Sequence, residues 1–319
     1  MTITAVIPTF NRAALLEQAV ASIEADEIIV VDNGSTETIA PRGARVLRLD
    51  RNYGFAYAVN RGIEAAQGEA IAIVNNDVVL SPGYLRLLTQ TGAWFATGKI
   101  MQQSAPDRID ATFDLLARSG CALRAGHGAP ASEFAAQRPI AFAPMTAAVF
   151  RRELFDRLGL LDESFGSYME DVEFGLRAAR SGYQGVYVPE ATALHRGSAT
   201  LGAWHPETVR LISRNQSLLV AKHFRHGGEN RYSRAVIAGQ LLWGLSALRR
   251  GCLRAWLTGK WQAACTEIPR WTPGDARAAT GLADEDASLQ LDQILAASET
   301  ELLRLTQGSA FWRWYAWLT

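Results

Sequence analysis

Residues 70–77 of this 319-residue chain read Ala-Ile-Ala-Ile-Val-Asn-Asn-Asp, five apolar residues followed by three polar ones. A short, uninterrupted apolar run is typical of a strand buried on both faces of a parallel sheet. Two earlier segments have the same form: Ile3–Ile7 precedes Pro8-Thr9-Phe10-Asn11-Arg12, and Glu27–Val31 precedes Asp32-Asn33-Gly34-Ser35. Each polar cluster therefore follows the carboxyl end of a predicted strand.

Helical patterns separate these strands. Ala13–Ile23 and Ala56–Ala66 have the apolar spacing of helices, and Ala44–Leu49 is a further predicted strand. Strands that alternate with helices predict an α/β fold, in which ligands bind beyond the carboxyl ends of the strands. We therefore predict a Rossmann-like, mostly parallel sheet flanked by helices, with a ligand site at the polar clusters.

The composition excludes several classes of protein. Apolar residues make up 48% of the chain, and 32 basic residues balance 32 acidic ones, so the chain is neither disordered nor biased toward nucleic acid. Three scattered cysteines, Cys121, Cys252 and Cys265, favour neither a disulfide framework nor a zinc site. No targeting segment is visible, and we expect a cytoplasmic protein.

The last third of the chain differs from the first part. Residues 99–138 are predicted to be loops and one helix, but from Pro206 onward the pattern is helical throughout. The segment from Glu207 to Lys260 contains ten Arg or Lys residues and only two Glu. We predict one domain over residues 1–205 and a helical C-terminal region over residues 206–319.

Two aspartates at strand ends are candidate ligand-binding groups. Asp77 could bind a divalent cation that also takes diphosphate oxygens, because Mg²⁺ accepts few protein ligands. The alternative is that Asp77 caps the next helix, but Ser81 is the better cap for a helix starting near Ser81-Pro82. Asp32 could accept hydrogen bonds from a base or ribose, and its alternative is a turn before Asn33-Gly34.

A third acidic cluster and a histidine lie further along. Glu170-Asp171-Val172-Glu173 begins a predicted helix, where carboxylates are either caps or, as the functional alternative, an ionised general base. His195 ends a short apolar run, and such a histidine is more often a hydrogen-bonded core residue than a metal ligand.

The order of these motifs resembles the family 2 glycosyltransferases of the GT-A fold, most closely their bacterial rhamnosyltransferase-like branch. The resemblance covers residues 1 to about 200 and includes Asn52-Tyr53-Gly54-Phe55-Ala56 and Asn60-Arg61-Gly62. It implies an inverting enzyme that moves one sugar, with rhamnose as a candidate, from a nucleoside-diphosphate sugar to a hydroxyl of a glycan or lipid-linked acceptor. It also implies a divalent cation, Mg²⁺ or Mn²⁺.

The resemblance assigns roles residue by residue. Asp171 matches the catalytic base, Asp77 and His195 match metal ligands, and Phe142–Arg152 matches the segment that lines the donor and acceptor pocket. Within or beside that pocket we expect Met145, Thr146 and Glu170. The residues expected to bind the nucleotide-sugar, all within or beside the quoted motifs, are Pro8, Thr9, Asn11, Arg12, Asp32, Asn33, Gly54, Asn60 and Asn76.

Two positions depart from the family pattern. Asn75 replaces the first acidic residue of the Asp-X-Asp motif, which leaves Asp77 as the one carboxylate there. Val59 stands where many members have a second Asn. The tryptophan motif and membrane spans of processive synthases are not seen, so one sugar per encounter is the simpler expectation.

Basic residues and aromatics mix after residue 206, and the chain ends Phe311-Trp-Arg-Trp-Tyr-Ala-Trp-Leu318. This is typical of a membrane-surface helix, and the alternative is packing on the catalytic domain or on a second subunit in a homodimer. No nucleic-acid recognition motif is present.

The alternatives to a transferase are a catalytically silent GT-A scaffold and a sugar-nucleotide pyrophosphorylase, whose glycine-rich triphosphate loop is missing after the first strand. A dinucleotide oxidoreductase is disfavoured because no Gly-X-Gly-X-X-Gly follows that strand.

Overall fold

A computed structural model of the protein describes residues 1–197, 204–226, 229–230, 232–268 and 284–319. The chain forms two compact units. The first unit contains Met1–Asp114 and Arg124–Gly197, and the second contains Leu115–Leu123 with the described part of Ser198–Thr319. The prediction of two domains divided at residue 205 places Leu115–Leu123 in the first domain. In the structure this segment belongs to the second unit.

The first unit is built on one large mixed sheet. Its strand order is β10-β12-β6-β11-β4-β1-β2-β3, with β5 paired to β12 and β7 paired to β6. A separate two-stranded sheet pairs β8 with β9. The strands are β1 Ile3–Thr9, β2 Glu27–Asp32, β3 Arg45–Arg48, β4 Ala70–Val74, β5 Val78–Leu80, β6 Phe95–Gln102, β7 Ala105–Ala111, β8 Asp114–Leu116, β9 Ala122–Arg124, β10 Arg138–Ile140, β11 Ala147–Arg151 and β12 Gly185–His195.

Helices accompany this sheet in the order that the sequence predicts. They are α1 Ala13–Ala21, α2 Phe55–Ala65, α3 Tyr84–Gln90, α4 Arg152–Leu158 and α5 Glu170–Arg180, with a 3₁₀ turn at Glu163–Phe165. The predicted α/β class is thus confirmed.

The apolar runs form the centre of the sheet. β1 pairs in parallel with both β2 and β4, and the residues of β4 are completely buried. Helix α2 lies very close to this layer, because a Cβ atom at Gly62 would come within 2.2 Å of Val6 Cγ1. Close packing of this kind is what strands without polar residues require, since neither face is left to water.

The polar clusters meet at one edge of this sheet. Thr9 is the register partner of Asp32 at the ends of β1 and β2, and the Asn33 amide donates to Thr9 O at 2.8 Å. Asn76, just beyond β4, donates through Nδ2 to Thr9 Oγ1 at 2.7 Å. The shared strand direction therefore carries the three clusters to the same place.

Two local predictions were wrong. Residues 99–138 contain no helix; they complete β6 and form β7 to β10, because pairing with neighbouring strands outweighs their weak local pattern. Ser81 does not cap α3, which begins at Tyr84 after Gly83; the Ser81 hydroxyl instead hydrogen-bonds Thr192 Oγ1 at 2.9 Å. The short apolar run that ends at His195 is part of a longer strand, β12, whose pairing with β6 is irregular between Val188 and Thr192.

The described part of the second unit is mainly helical. Its elements are α6 Pro206–His223, α7 Ser233–Arg249, α8 Leu253–Ala264, α9 Asp284–Leu305 and α10 Ala310–Leu318, with the short strand pair β13 Arg225–His226 and β14 Glu229–Asn230 that the sequence did not predict. Among the residues described, no helix has the length and apolar character needed to span a bilayer.

Polar contacts hold the segment Leu115–Leu123 within this second unit. The Leu116 amide donates to Ser298 Oγ at 2.6 Å, and the Arg118 guanidinium pairs with the buried Glu299 carboxylate. Gln240 donates through Nε2 to Ser119 O at 2.9 Å.

Candidate active site

His195 lies between two carboxylates at the carboxyl end of β12. Its Nε2 is 3.2 Å from Asp77 Oδ1, and its Nδ1 is 2.8 Å from Asp110 Oδ2. Burial alone would lower the pKa of His195, but the hydrogen bonds and negative charges of Asp110 and Asp77 raise it to about 9. The sequence predicted the pairing of Asp77 with His195 and missed Asp110.

Arg124 provides positive charge for a second group of carboxylates. Its guanidinium lies 3.5 Å from Asp110 Oδ2 and 4.0 Å from Asp114 Oδ1, and its charge also acts on Asp171. Burial raises the pKa of Asp114 to about 7, the charge of Asp171 raises it too, and Arg124 opposes this change. Opposed pKa effects on neighbouring buried carboxyl groups are typical of functional sites.

The predicted site residues did not include Asp110, Asp114 or Arg124. These three lie within residues 99–138, which were predicted to be loops and one helix. The one available signal was the segment Ile109-Asp-Ala-Thr-Phe-Asp-Leu115, in which two carboxylates lie in a largely apolar run. Such residues are expected to be paired when they are buried.

Glu170 and Asp171 occupy the first turn of α5. The preceding Tyr168 and Met169 are left-handed, with φ of 72° and 67°, and this turns the chain abruptly into the helix. Asp171 Oδ1 accepts a hydrogen bond from the Val172 amide at 2.8 Å. Burial raises the pKa of Asp171, whereas the charge of Arg124 and backbone hydrogen bonds lower it.

The neighbouring carboxyl group is in a less favourable environment for charge. Glu170 Oε2 is buried and has no hydrogen-bond partner in the structure. Burial and the adjacent charge of Asp171 raise the pKa of Glu170 well above its usual value. Burial thus disfavours the charged form of Glu170, whereas Asp171 has Arg124 and backbone amides that favour its charged form.

Met145 and Thr146 connect the two acidic regions. Both side chains are buried, Thr146 O accepts from the Asn75 amide at 2.9 Å, and the Met145 backbone hydrogen-bonds Asp171. The chain that contacts the end of β4 on one side therefore contacts the start of α5 on the other. Asn75, which departs from the Asp-X-Asp pattern of the family, makes this contact with Thr146 through its main-chain amide.

The loop after β1 gathers several of the predicted nucleotide-sugar residues. Thr9 Oγ1 donates to Asn11 O at 3.0 Å, and Asn11 Oδ1 accepts from the amide and hydroxyl of Thr36. Asn11 and Arg12 have φ of 60° and 66°, and Pro8 is half-buried just before them. Residues held in left-handed backbone cluster at functional sites, which favours the predicted role of this loop.

Asp32 and Asn33 shape the loop after β2. Asp32 is completely buried; its Oδ1 accepts from the Ser35 amide at 2.9 Å and its Oδ2 from Arg48 at 2.6 Å. Asn33 accepts from the Tyr53 amide at 2.9 Å and donates to Gly54 O at 3.0 Å. Both side chains thus have protein partners, and their contacts with a base or ribose stay predictions.

Gly54 and Asn60 contact the loop that leads to α5. Gly54 has φ of 92°, and a Cβ atom on it would lie 3.0 Å from the Gly166 backbone. Asn60 is buried; its Nδ2 donates to Leu161 O at 2.9 Å and to Glu163 Oε1 at 3.0 Å, and its Oδ1 accepts from the Leu161 amide at 3.0 Å. These contacts position the loop before Glu170-Asp171.

The pair Asp77 and His195 has the chemistry of a partial cation site. With Nδ1 hydrogen-bonded to Asp110, His195 directs Nε2 toward Asp77, the arrangement common for metal-bound histidines. No cluster of three or more His, Cys, Asp or Glu suited to a metal occurs in the described ranges. Two donors nevertheless fit a cation that takes its other ligands from diphosphate and water.

Comparison with known proteins agrees with this geometry. Residues 4–159 match the model of the family described as "Glycosyl transferase family 2". The N-acetylglucosaminyl-diphospho-decaprenol L-rhamnosyltransferase of Mycobacterium tuberculosis is 26% identical over 260 residues, covering 69% of this chain and 83% of that protein. The glycosyltransferase YwdF of Bacillus subtilis, itself uncharacterised, is 25% identical over 248 residues, covering 70% of this chain and 88% of that protein.

A solved structure shares the fold. The crystal structure of GalNAc-T7 with UDP, GalNAc and Mn²⁺ superposes with a TM-score of 0.59 at 15% identity, over 76% of this chain and about half, 51%, of that one. The family match and the shared fold support a nucleotide-sugar glycosyltransferase of the GT-A type. Residues 4–159 resemble the family 2 glycosyltransferases and the chain is rhamnosyltransferase-like, so the predicted resemblance is confirmed.

Proposed function

We propose that this enzyme transfers one sugar from a nucleoside-diphosphate donor to an acceptor hydroxyl in a single inverting displacement, with Asp171 as the base. The observation that carries the proposal is the connection through Met145-Thr146, which contacts Asn75 at the end of β4 and Asp171 at the start of α5. This connection supports a single site that contains both the strand end with Asp77 and the acidic start of α5.

The carboxyl groups of Asp171 and Glu170 would have different roles in this reaction. Ionised Asp171 accepts the proton of the acceptor hydroxyl while that oxygen bonds to the anomeric carbon, and the bond from this carbon to the nucleoside diphosphate breaks. Glu170, whose charged form is disfavoured by burial, would be the weaker candidate for this proton. A well-placed base contributes roughly 10²–10⁴-fold to the rate.

A divalent cation belongs to the proposal. Asp77 and His195 would hold Mg²⁺ or Mn²⁺, and the cation would offset the negative charge that develops on the leaving diphosphate. Asp110, bonded to His195 Nδ1 at 2.8 Å, would fix the orientation of the imidazole. Thr9, Asn11 and the main chain after β1 would face the nucleotide.

Rhamnose as the sugar and a lipid-linked glycan as the acceptor are the finer parts of the proposal. They are supported by similarity to the mycobacterial rhamnosyltransferase. Cys121, Cys252 and Cys265 are all free thiols, in keeping with the predicted cytoplasmic location. A silent scaffold and a pyrophosphorylase are weaker alternatives, because the family match and the acidic cluster around the half-buried Asp171 both favour a transferase.

The test is the Asp171→Asn variant, with Asp156→Asn on the exposed face of α4 as its matched control. We expect Asp171→Asn to retain its thermal stability and its affinity for nucleoside diphosphate with Mn²⁺, measured by calorimetry. Its turnover should fall roughly 10²–10⁴-fold, whereas the control should not change. Near wild-type turnover of Asp171→Asn would remove this residue from the role of base.

A further inference from the structure

Helix α7 has the reverse of the burial pattern that an ordinary surface helix shows. Its buried positions are all small residues, whereas large apolar side chains face outward. The outward side chains are Ile237, Leu241, Leu245 and Leu248, at the i, i+4, i+8, i+11 spacing of one helical face. Globular proteins normally bury such a face in a core.

The two helices packed against α7 also expose large apolar residues. Leu257 and Trp261 lie on α8, and Trp314 and Trp317 lie on α10. We call these four residues together with the four of α7 the apolar surface; each is between 43% and 73% exposed. Eight large side chains on three neighbouring helices exceed the scattered exposure of a typical monomer.

Close contacts hold the three helices together. A Cβ atom at Gly244 of α7 would lie 2.9 Å from Trp256 of α8, and one at Gly239 would lie 3.5 Å from Tyr315 of α10. Arg234 also donates to Leu318 O at 2.6 Å. The small buried residues of α7 therefore let its neighbours approach, while the large ones stay outside.

The three helices that carry the apolar surface bear charge of one sign. Residues 233–264 and 309–319, which contain α7, α8 and α10, include six basic residues and no acidic one. Arg249, Arg254 and Arg313 are exposed on these helices. Long basic side chains can keep their charge near phosphate groups while their stems lie along apolar matter.

We propose that the apolar surface docks onto a bilayer that contains anionic phospholipid. Leucine and isoleucine would enter the acyl boundary, tryptophans would lie at the headgroup level, and the arginines would attract anionic headgroups. A second copy of the chain fits less well, because a two-fold contact places the same patch on both sides and brings positive charges together.

Docking does not depend on the catalytic proposal. Binding to vesicles can be measured without donor or acceptor, so failure of one proposal is distinguishable from failure of the other. If both hold, the surface would keep the enzyme where a lipid-linked acceptor is found.

The experiment is flotation of the full chain with vesicles of phosphatidylcholine alone or mixed with phosphatidylglycerol. We expect binding to the mixed vesicles, weakened by salt, and little binding to the neutral ones. The variants Leu241→Gln/Leu245→Gln and Trp314→Ser/Trp317→Ser should each lower the partition coefficient about tenfold or more. Since all four residues are exposed, thermal unfolding should be unchanged.

Two comparisons make the result decisive. Arg249→Gln/Arg254→Gln/Arg313→Gln should weaken binding to mixed vesicles about tenfold or more, whereas removal of three exposed arginines from the first unit, Arg42, Arg45 and Arg86, should not. Equal effects of the two triple variants, or equal binding to neutral vesicles, would overturn the proposal. So would a dimer in sedimentation that the Leu241→Gln/Leu245→Gln variant abolishes, since a second copy would then cover this surface.

Discussion

The variant Asn60→Ala tests whether Asn60 stabilises the fold or binds the nucleotide-sugar, the role that the sequence predicted for it. Asn60 lies on the buried side of α2, and its amide holds both the N–H and the C=O of Leu161. Its third bond goes to Glu163 Oε1. Because these partners belong to the protein itself, the substitution should lower stability before it affects ligand binding.

The magnitude follows from the groups left without partners. Leu161 is buried, so its amide and its carbonyl would each lose a hydrogen bond away from water, at about 1–3 kcal/mol apiece. The lost bond to the partly exposed Glu163 adds little. We therefore expect Asn60→Ala to lower the free energy of unfolding by about 4 kcal/mol.

Urea unfolding followed by circular dichroism measures this change, and calorimetry with a nucleoside diphosphate and Mn²⁺ measures binding. Glu163→Ala is the matched control, because it removes the exposed end of the same contacts, and it should cost about 1 kcal/mol or less. An Asn60→Ala variant that keeps its stability but loses nucleotide affinity would refute the reasoning and restore a ligand contact.

The remaining predictions concern charge. Arg177→Met should cost about 3–5 kcal/mol of unfolding free energy in urea titration, because it removes one member of the buried ion pair Arg177–Glu173; partial recovery in a double variant with Glu173→Gln should confirm the cause. Asp77→Ala should abolish the Mn²⁺-dependent rise in melting temperature seen with nucleoside diphosphate; an unchanged cation titration would contradict the assigned site. Burial raises the pKa of Asp171 and Arg124 lowers it, so the rate should increase with pH as Asp171 ionises; in Arg124→Gln this acidic limb should move to higher pH, and an unmoved limb would exclude the influence of Arg124.

Local sequence was sufficient for the half of the fold that is built from continuous apolar strands. Ala70–Val74 was predicted with the bounds observed, because a strand buried on both faces needs an uninterrupted apolar run. Parallel direction then carries Thr9, Asp32 and Asn76 to one edge without further information. The acidic start of α5 was equally visible, because carboxylates stabilise a helix at its N-terminus.

Only the tertiary structure decided what surrounds those residues. Asp110, Asp114 and Arg124 reach the site through strands whose pairing is long-range, so no local pattern marks them. The same holds for Asn60, whose partners are about a hundred residues away in the chain. The outward face of α7 is a further case, because periodicity shows that a helix has an apolar side but not whether that side meets protein or solvent. Sequence determines which groups can be buried or ionised; packing determines which neighbours they meet, and the neighbours set the pKa of Asp171 and the charge around Asp77.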